Sequence, residues 1–237
     1  MSNFTTQRLS VYLRTVVLVA VCSWVASTRA QTVTWQDLPW PADQNWGGPH
    51  GSPATTNANQ ITLTGQDVLS VQSFSGPVTI SYDLVLPAKS TADGAFETFF
   101  VPTGEGVSNL PNPDVVLQMA ESQGGADALS VSKDRYTSVL WGSNPFLIQT
   151  QTVYHIAINV AANGQVGWFI NGNDVGLSNS VVVPYSSFQI RLSSWQPTQA
   201  WQVSNFAVVP EPATVTLLGA GLVGLFVVGG RRKSSGT

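Results

Sequence analysis

The amino-acid sequence predicts an all-β domain, a two-sheet antiparallel β-sandwich, flanked by an apolar helix at each end of the chain. Three observations lead to this prediction. Apolar and polar residues alternate in many short runs, the period of a strand with one buried face. Gly and Pro separate these runs, and no amphipathic helix of useful length lies between them. About a dozen short strands without helices pack as two layered sheets.

The first 30 residues are organised like a secretory signal peptide. Arg8 and Arg14 precede an apolar run over 16–25, and small residues lead to a cleavage point between Ala30 and Gln31. Cleavage after Thr28 is the alternative. We therefore expect a signal helix that the secretion machinery recognises and signal peptidase removes. The mature body then begins at Gln31.

The β-sandwich domain is predicted over 31–208, and its alternating runs give the strands. They lie at 60–63, 68–74, 78–86, 96–101, 115–119, 129–131, 138–141, 154–160, 166–170, 188–192 and 201–208. Asn163-Gly164 separates two of these runs, which predicts a hairpin with a type I′ turn. Trp168 shares an alternating face with Val166 and Ile170 and is predicted to lie in the core.

The charge of the body restricts its partners. Between Gln31 and Val209 there are four Lys and Arg residues and twelve Asp and Glu residues, a net charge of −8. Phosphate-backbone binding requires clustered cations, so nucleic acid is excluded as a partner. The sole cysteine, Cys22, lies in the signal segment, so the mature body has no disulfide and depends on packing.

The C-terminal segment 209–237 combines a rigid motif, an uncharged stretch and a basic end. Val209, Pro210, Glu211 and Pro212 form the motif, in which both prolines hold the chain extended. The stretch 213–230 would be about 27 Å long as a helix, just enough to cross a bilayer core of roughly 30 Å. It ends in a cytoplasmic basic clamp, which consists of Arg231, Arg232 and Lys233.

This order of features resembles the PEP-CTERM sorting tail of exopolysaccharide-producing bacteria. The resemblance implies that an exosortase-type membrane enzyme processes the chain, so that the chain is the client and not the enzyme. It also implies export, with anchoring in the membrane through the C-terminal helix on the periplasmic side, followed by delivery to the cell surface or extracellular matrix. An ordinary anchor that is never cleaved is the alternative.

A second resemblance concerns the body. The run 154–176, YHIAINVAANGQVGWFINGNDVG, is similar to the laminin-G-like part of concanavalin-A-like jelly rolls. This resemblance implies a jelly-roll sandwich, and another β-sandwich topology is the alternative. Glucanases with this kind of fold resemble one another in a Glu-x-Asp-x-x-Glu strand. Glu97, Glu105 and Glu121 all lack partners at that spacing, so no catalytic residue is assigned and the chain is predicted not to be an enzyme.

The remaining candidates concern binding. Trp46, Trp141 and Trp195 lie beside loop signals and are candidate carbohydrate contacts, although tryptophans at loops also serve as packing anchors. No cofactor is expected. Two loops contain oxygen ligands that suit Ca²⁺, one with Asp43 and Asn45 and one with Asn171, Asn173 and Asp174, but such clusters are also typical of turns. The leading hypothesis is a non-catalytic exported surface or matrix protein, and the alternatives are a carbohydrate-binding module for exopolysaccharide or a glycan-active enzyme.

Overall fold

The structure is a computed structural model of the 237-residue chain, and it describes residues 30–38, 55–57, 60–89, 93–104, 115–122, 127–133, 138–141, 147–176, 181–194, 196 and 198–211. Within these ranges the regular structure consists of strands, which confirms the predicted all-β class. No helix in the described ranges is long and apolar enough to cross a membrane. The helices predicted at 1–30 and 213–230 lie outside the described residues.

The strands of the described residues form two sheets. Their bounds are β1 Trp35–Leu38, β2 Thr55–Asn57, β3 Gln60–Thr64, β4 Asp67–Ser70, β5 Val78–Val85, β6 Gly94–Pro102, β7 Val115–Glu121, β8 Ala128–Lys133, β9 Ser138–Trp141, β10 Val153–Val160, β11 Val166–Ile170, β12 Asn173–Asp174, β13 Phe188–Ser194 and β14 Ala200–Pro210. Sheet I has the order β1-β4-β13-β6-β7-β8-β9, and sheet II has the order β12-β11-β10-β5-β14-β3-β2. The neighbours pair antiparallel, as predicted for a sandwich.

The core lies between the sheets because each strand turns alternate residues inward. In β5 and β10 the buried positions alternate with half-buried or exposed ones. Trp168 is 2 % exposed, which confirms its predicted place in the core. Tyr82 of sheet II and Thr98 of sheet I join their hydroxyl groups across the core at 2.7 Å. This bond gives each of the two buried hydroxyl groups a hydrogen-bond partner. Burial raises the pKa of Tyr82 far above its ordinary value.

Three short strands have no clear signal in the sequence. β1, β2 and β12 contain two to four residues each, too few to establish a period. The strand predicted at 68–74 is also shorter than expected, since β4 ends at Ser70. There the Ser70 hydroxyl donates to the Gln72 carbonyl at 2.8 Å, and the chain pairs with β13 again only at the isolated bridge between Phe74 and Phe188.

The hairpin between β10 and β11 does not contain the predicted type I′ turn. A type I′ turn requires positive φ at both central residues, but Asn163 does not have it and Gly164 does, with φ of 81°. The Gly164 amide donates to the Ala161 carbonyl at 2.9 Å, and the Ala161 amide donates to the Gln165 carbonyl at 2.9 Å. This pattern is a type I turn followed by a left-handed glycine, the usual three-residue hairpin loop.

A bulge interrupts β14 at Asn205. Trp201 and Val203 are buried before it, and Val208 is buried after it, so the alternation shifts by one residue between Val203 and Val208. Asn205 has a φ of 53°, the left-handed conformation that is found at the first residue of a G1 bulge. The extra residue lets both halves of β14 turn apolar side chains inward, and Phe206 stacks on Tyr82 with centroids 5.5 Å apart.

Candidate functional site

The sorting motif begins inside the last strand. Val209 and Pro210 end β14, and Glu211 follows as an exposed residue. Pro212 and the basic clamp, Arg231, Arg232 and Lys233, lie outside the described residues. Gln31, the predicted first residue of the mature body, donates its amide to the carbonyl of Val208 at 2.8 Å, and residues 31–208 form one compact unit. The first and last residues of this unit are therefore paired.

The candidate carbohydrate contacts are only partly within the described residues. Trp46 and Trp195 lie outside them, and only the backbone of Trp141 is described, as the register partner of Ser130 in β9. The sequence-based prediction for these three tryptophans therefore stays a prediction.

Sheet I carries a row of polar residues on its outer face, which we call the polar row. Successive register partners are Asp67, Ser193, Glu97, Gln118 and Ser130. Ser130 Oγ donates to Gln118 Oε1 at 2.8 Å, and Gln118 Nε2 donates to Glu97 Oε1 at 2.8 Å. Hydrogen bonds therefore connect three neighbouring strands.

The polar row is closed to solvent. Its five members are at most 9 % exposed. Asp67 forms a buried ion pair with Arg191, whose guanidinium carbon lies 4.6 Å from the ring centroid of Phe99. Asp67 Oδ1 and Ser193 Oγ are buried without a hydrogen-bond partner within the described part of the chain. Both carboxylates of the row, Asp67 and Glu97, are thus held by neighbours of their own chain.

A second buried group gathers two carboxylates at strand ends. Lys89 Nζ lies 3.4 Å from Glu121 Oε1 and 3.2 Å from Asp127 Oδ2. Gln199 Nε2 donates to Glu121 at 2.8 Å, and the Ile148 amide donates to Asp127 at 2.6 Å. Desolvation acts to lower the pKa of Lys89, but the hydrogen bond to Asp127 and the two negative charges outweigh it and raise that pKa.

The outer face of sheet II presents an open Asp–His pair. The alternating pattern predicts an outward position for His155, and its side chain is 70 % exposed. Its Nδ1 lies 2.6 Å from Asp83 Oδ1, while Asn205 Nδ2 donates to Asp83 Oδ2 at 2.7 Å. The pairing of His155 with Asp83 depends on strand register, which no local signal gives.

A cleft opens at one end of the sandwich, and we call it the end cleft. It lies between the hairpin loop 161–164 and the segment 182–186, with Gly76 at its side. Its volume is about 260 Å³. Val160 and Phe188 in its lining are buried, whereas Asn163 and Ser186 are exposed. No residue in this lining carries a charge.

One of the two predicted Ca²⁺ loops lies within the described residues. Asp43 and Asn45 lie outside the described residues. In the other loop, Asn171 Oδ1 accepts from the His155 amide at 2.8 Å and Asp174 Oδ1 accepts from the Gly176 amide at 2.7 Å. In the described part of the chain, no group of three or more His, Cys, Asp or Glu side chains is arranged to hold a metal ion.

Known proteins are similar to this chain in two separate ways. Residues 208–233 match the PEP-CTERM protein-sorting motif, as the sequence predicts. This motif implies export, anchoring through the C-terminus and processing by an exosortase-type membrane enzyme. No curated protein is significantly similar to the chain.

Solved structures show the fold of the body. LamAcat of Zobellia galactanivorans has a TM-score of 0.52 at 9 % identity and covers 79 % of this chain and 99 % of its own. A Bacillus subtilis protein with a galectin-like fold has a TM-score of 0.51 at 11 % identity, with 78 % and 100 % covered. β-Agarase A of Z. galactanivorans has a TM-score of 0.50 at 11 % identity, with 76 % and 83 % covered. The chain therefore carries a PEP-CTERM protein-sorting motif at 208–233, and the body that precedes this motif in sequence is a jelly-roll β-sandwich of the galectin-like kind.

Proposed function

We propose that the protein is a non-catalytic component of the cell surface or extracellular matrix, which its C-terminal tail delivers. The match of residues 208–233 to the sorting motif carries this proposal. The general secretory route exports the chain, and signal peptidase removes the signal peptide after Ala30. The helix over 213–230 then holds the body on the periplasmic side until the exosortase-type enzyme acts on the motif at 209–212.

The distribution of carboxylates among the described residues supports the absence of catalysis. Glycoside hydrolysis requires two carboxyl groups that face one substrate. Asp83 points outward from sheet II, whereas Glu97 points outward from sheet I, so these two cannot share a cleft. Asp67 and Glu97 share a face, but the first is bound to Arg191, the second to Gln118, and both are at most 5 % exposed.

Deletion of residues 210–237 tests the delivery step. The truncated protein should appear in the soluble periplasmic or extracellular fraction, whereas the full chain fractionates with the envelope or matrix. A deletion of 234–237 leaves the motif, the apolar stretch and the clamp intact and serves as the control. A truncated protein that stays membrane-bound at wild-type levels contradicts the proposal.

A second candidate function is carbohydrate binding, with exopolysaccharide as the ligand class. The open, uncharged end cleft favours it, because sugar sites combine apolar surface with a few hydrogen-bonding groups. Polysaccharide-active proteins such as β-agarase A also share the fold. A glycan array probed with the exported protein, with and without Ca²⁺, tests this function. Absence of binding in both conditions rules it out.

A further inference from the structure

We propose that the end cleft binds one uncharged sugar ring, the terminal or branch residue of a neutral polysaccharide. This inference rests on the second candidate function and names its site and its ligand class. The polar row and the pair of carboxylates around Lys89 are too deeply buried to receive such a ligand. The Asp83–His155 pair lies on the outer face of sheet II and is not part of the lining of the end cleft.

The lining of the cleft selects against charge. None of its residues is Lys, Arg, Asp, Glu or His. A carboxylated or sulfated sugar would lose hydration on entry and find no opposite charge to compensate. The net charge of −8 on the body adds repulsion over a longer range. The ligand should therefore be neutral.

The size of the cleft selects a single ring. Its volume of about 260 Å³ is below the roughly 300–1,000 Å³ of typical small-molecule sites. One pyranose is thus an appropriate occupant, while the rest of a polysaccharide would extend into solvent. A site of this kind recognises chain ends or branches and not the interior of a linear chain.

The side chains around the cleft match the two kinds of surface on a sugar. The half-buried ring of Tyr185 and the exposed side chain of Val182 offer apolar surface to the C–H groups of a pyranose. The amide of Asn163 and the hydroxyl of Ser186 offer hydrogen-bonding groups. Asn163 Oδ1 accepts from the Gln165 amide at 3.1 Å, which orients the amide group of Asn163 for donation.

The walls of the cleft are already fixed by backbone hydrogen bonds. The Val183 amide donates to the Gly164 carbonyl at 2.8 Å, and the Val166 amide donates to the Val181 carbonyl at 3.1 Å. A Cβ at Gly164 would lie 2.3 Å from the Val183 carbonyl oxygen, so loop and segment are in close contact. Little conformational entropy is lost when a ligand enters such a preformed site.

Saturation-transfer NMR on the envelope-purified protein, in a sugar-free zwitterionic detergent, tests the proposal. The probes are neutral methyl hexopyranosides (gluco, galacto and manno) and methyl glucuronide as the charged counterpart. We expect at least one neutral glycoside to bind with a Kd in the millimolar range, the order for a ligand of this size, and the glucuronide to bind at least tenfold more weakly.

Two variants locate the binding. Tyr185→Ala removes the stacking surface, and Asn163→Asp keeps the oxygen that accepts from Gln165 but replaces the donor with a negative charge. Each should weaken binding at least tenfold. Phe169→Ala, a half-buried aromatic on the outer face of sheet II, is the matched control and should bind as the wild type does. If Tyr185→Ala does not fold, Asn163→Asp decides.

The outcomes separate this proposal from carbohydrate binding in general. Equal binding by wild type, Tyr185→Ala and Asn163→Asp overturns the end cleft as the site but leaves carbohydrate binding standing. Absence of transfer to every neutral glycoside overturns the proposal for the cleft, and absence of any signal on the glycan array rules out carbohydrate binding as a whole.

Discussion

Lys89 brings a single positive charge to two buried carboxylates. The side chains of Glu121 and Asp127 are each 1 % exposed, whereas that of Lys89 is 35 % exposed. The ammonium thus remains partly hydrated while it compensates charges that are not. Its pKa is raised above the ordinary value of 10.5. This contribution to stability is therefore complete below pH 10.5 and is lost as the pH rises through the folded-state pKa.

Lys89→Met should lower the free energy of unfolding by roughly 1–3 kcal/mol at pH 8, the cost of leaving buried charges without their partner, reduced for solvent screening. Urea denaturation at pH 8 to 11.5 measures it. The difference in free energy of unfolding between wild type and Lys89→Met should shrink above pH 10.5. The pKa of Tyr82 is also raised, but both proteins contain Tyr82, so its titration does not affect this difference. Lys89→Arg is the control and should retain most of the stability. A gap that closes below pH 10 would refute the assignment.

Gly164 and Gly172 offer a matched pair of substitutions. Both have positive φ, 81° and 78°, so alanine at either position costs about 1 kcal/mol in backbone strain. Only at Gly164 does a new Cβ also approach a carbonyl, that of Val183 at 2.3 Å. Gly164→Ala should therefore destabilise the protein by at least about 1 kcal/mol more than Gly172→Ala in thermal unfolding. Equal losses of stability in the two variants would mean that loop 161–164 and segment 182–186 move apart to accommodate the new Cβ.

At the scale of elements, the bulge in β14 determines which side chains of that strand enter the core. Asn205 has a φ of 53° and donates to Asp83. Asn205→Ala and Asn205→Gly both lose this hydrogen bond, but alanine additionally bears the strain of the left-handed conformation. We expect Asn205→Ala to be less stable than Asn205→Gly by about 1 kcal/mol in chemical denaturation. Equal stability of the two variants would show that the bulge relaxes.

Strands with one apolar face could be predicted well from the sequence. The runs at 78–86, 154–160 and 166–170 correspond closely to β5, β10 and β11, because burial of one face imposes a period of two. β1 and β12 were missed because they are short and gain their order by pairing with β4 and β11. The predicted turn type at Gly164 was wrong because Asn-Gly is compatible with more than one hairpin loop.

The candidate sites were much harder to predict than the strands. Asp67 and Arg191 are 124 residues apart in sequence and meet only through the pairing of β4 with β13. The end cleft likewise requires 161–164 to meet 182–186, which depends on contacts that no local pattern encodes. In contrast, the sorting motif at 208–233 is a contiguous signal, so the order of its residues alone is enough to recognise it.

At the scale of the whole molecule, the proposed delivery and the proposed sugar binding belong to separate parts of the chain. The tail carries the motif that implies processing by an exosortase-type enzyme. The body has a net charge of −8 and, in its described residues, buried carboxylate groups and an open uncharged cleft. The two parts can be tested independently, because Tyr185→Ala should leave sorting unchanged and deletion of 210–237 should leave the lining of the end cleft intact.

The intact mass of the protein isolated from the cell surface or matrix is the decisive measurement for delivery by the tail. We expect a mass well below the 25.2 kDa of the full chain, with an N-terminus at Gln31 and with Arg231, Arg232 and Lys233 absent. A surface protein that retains residues 213–237 would contradict processing at the motif, and a chain that still carries residues 1–30 would contradict export through the signal peptide.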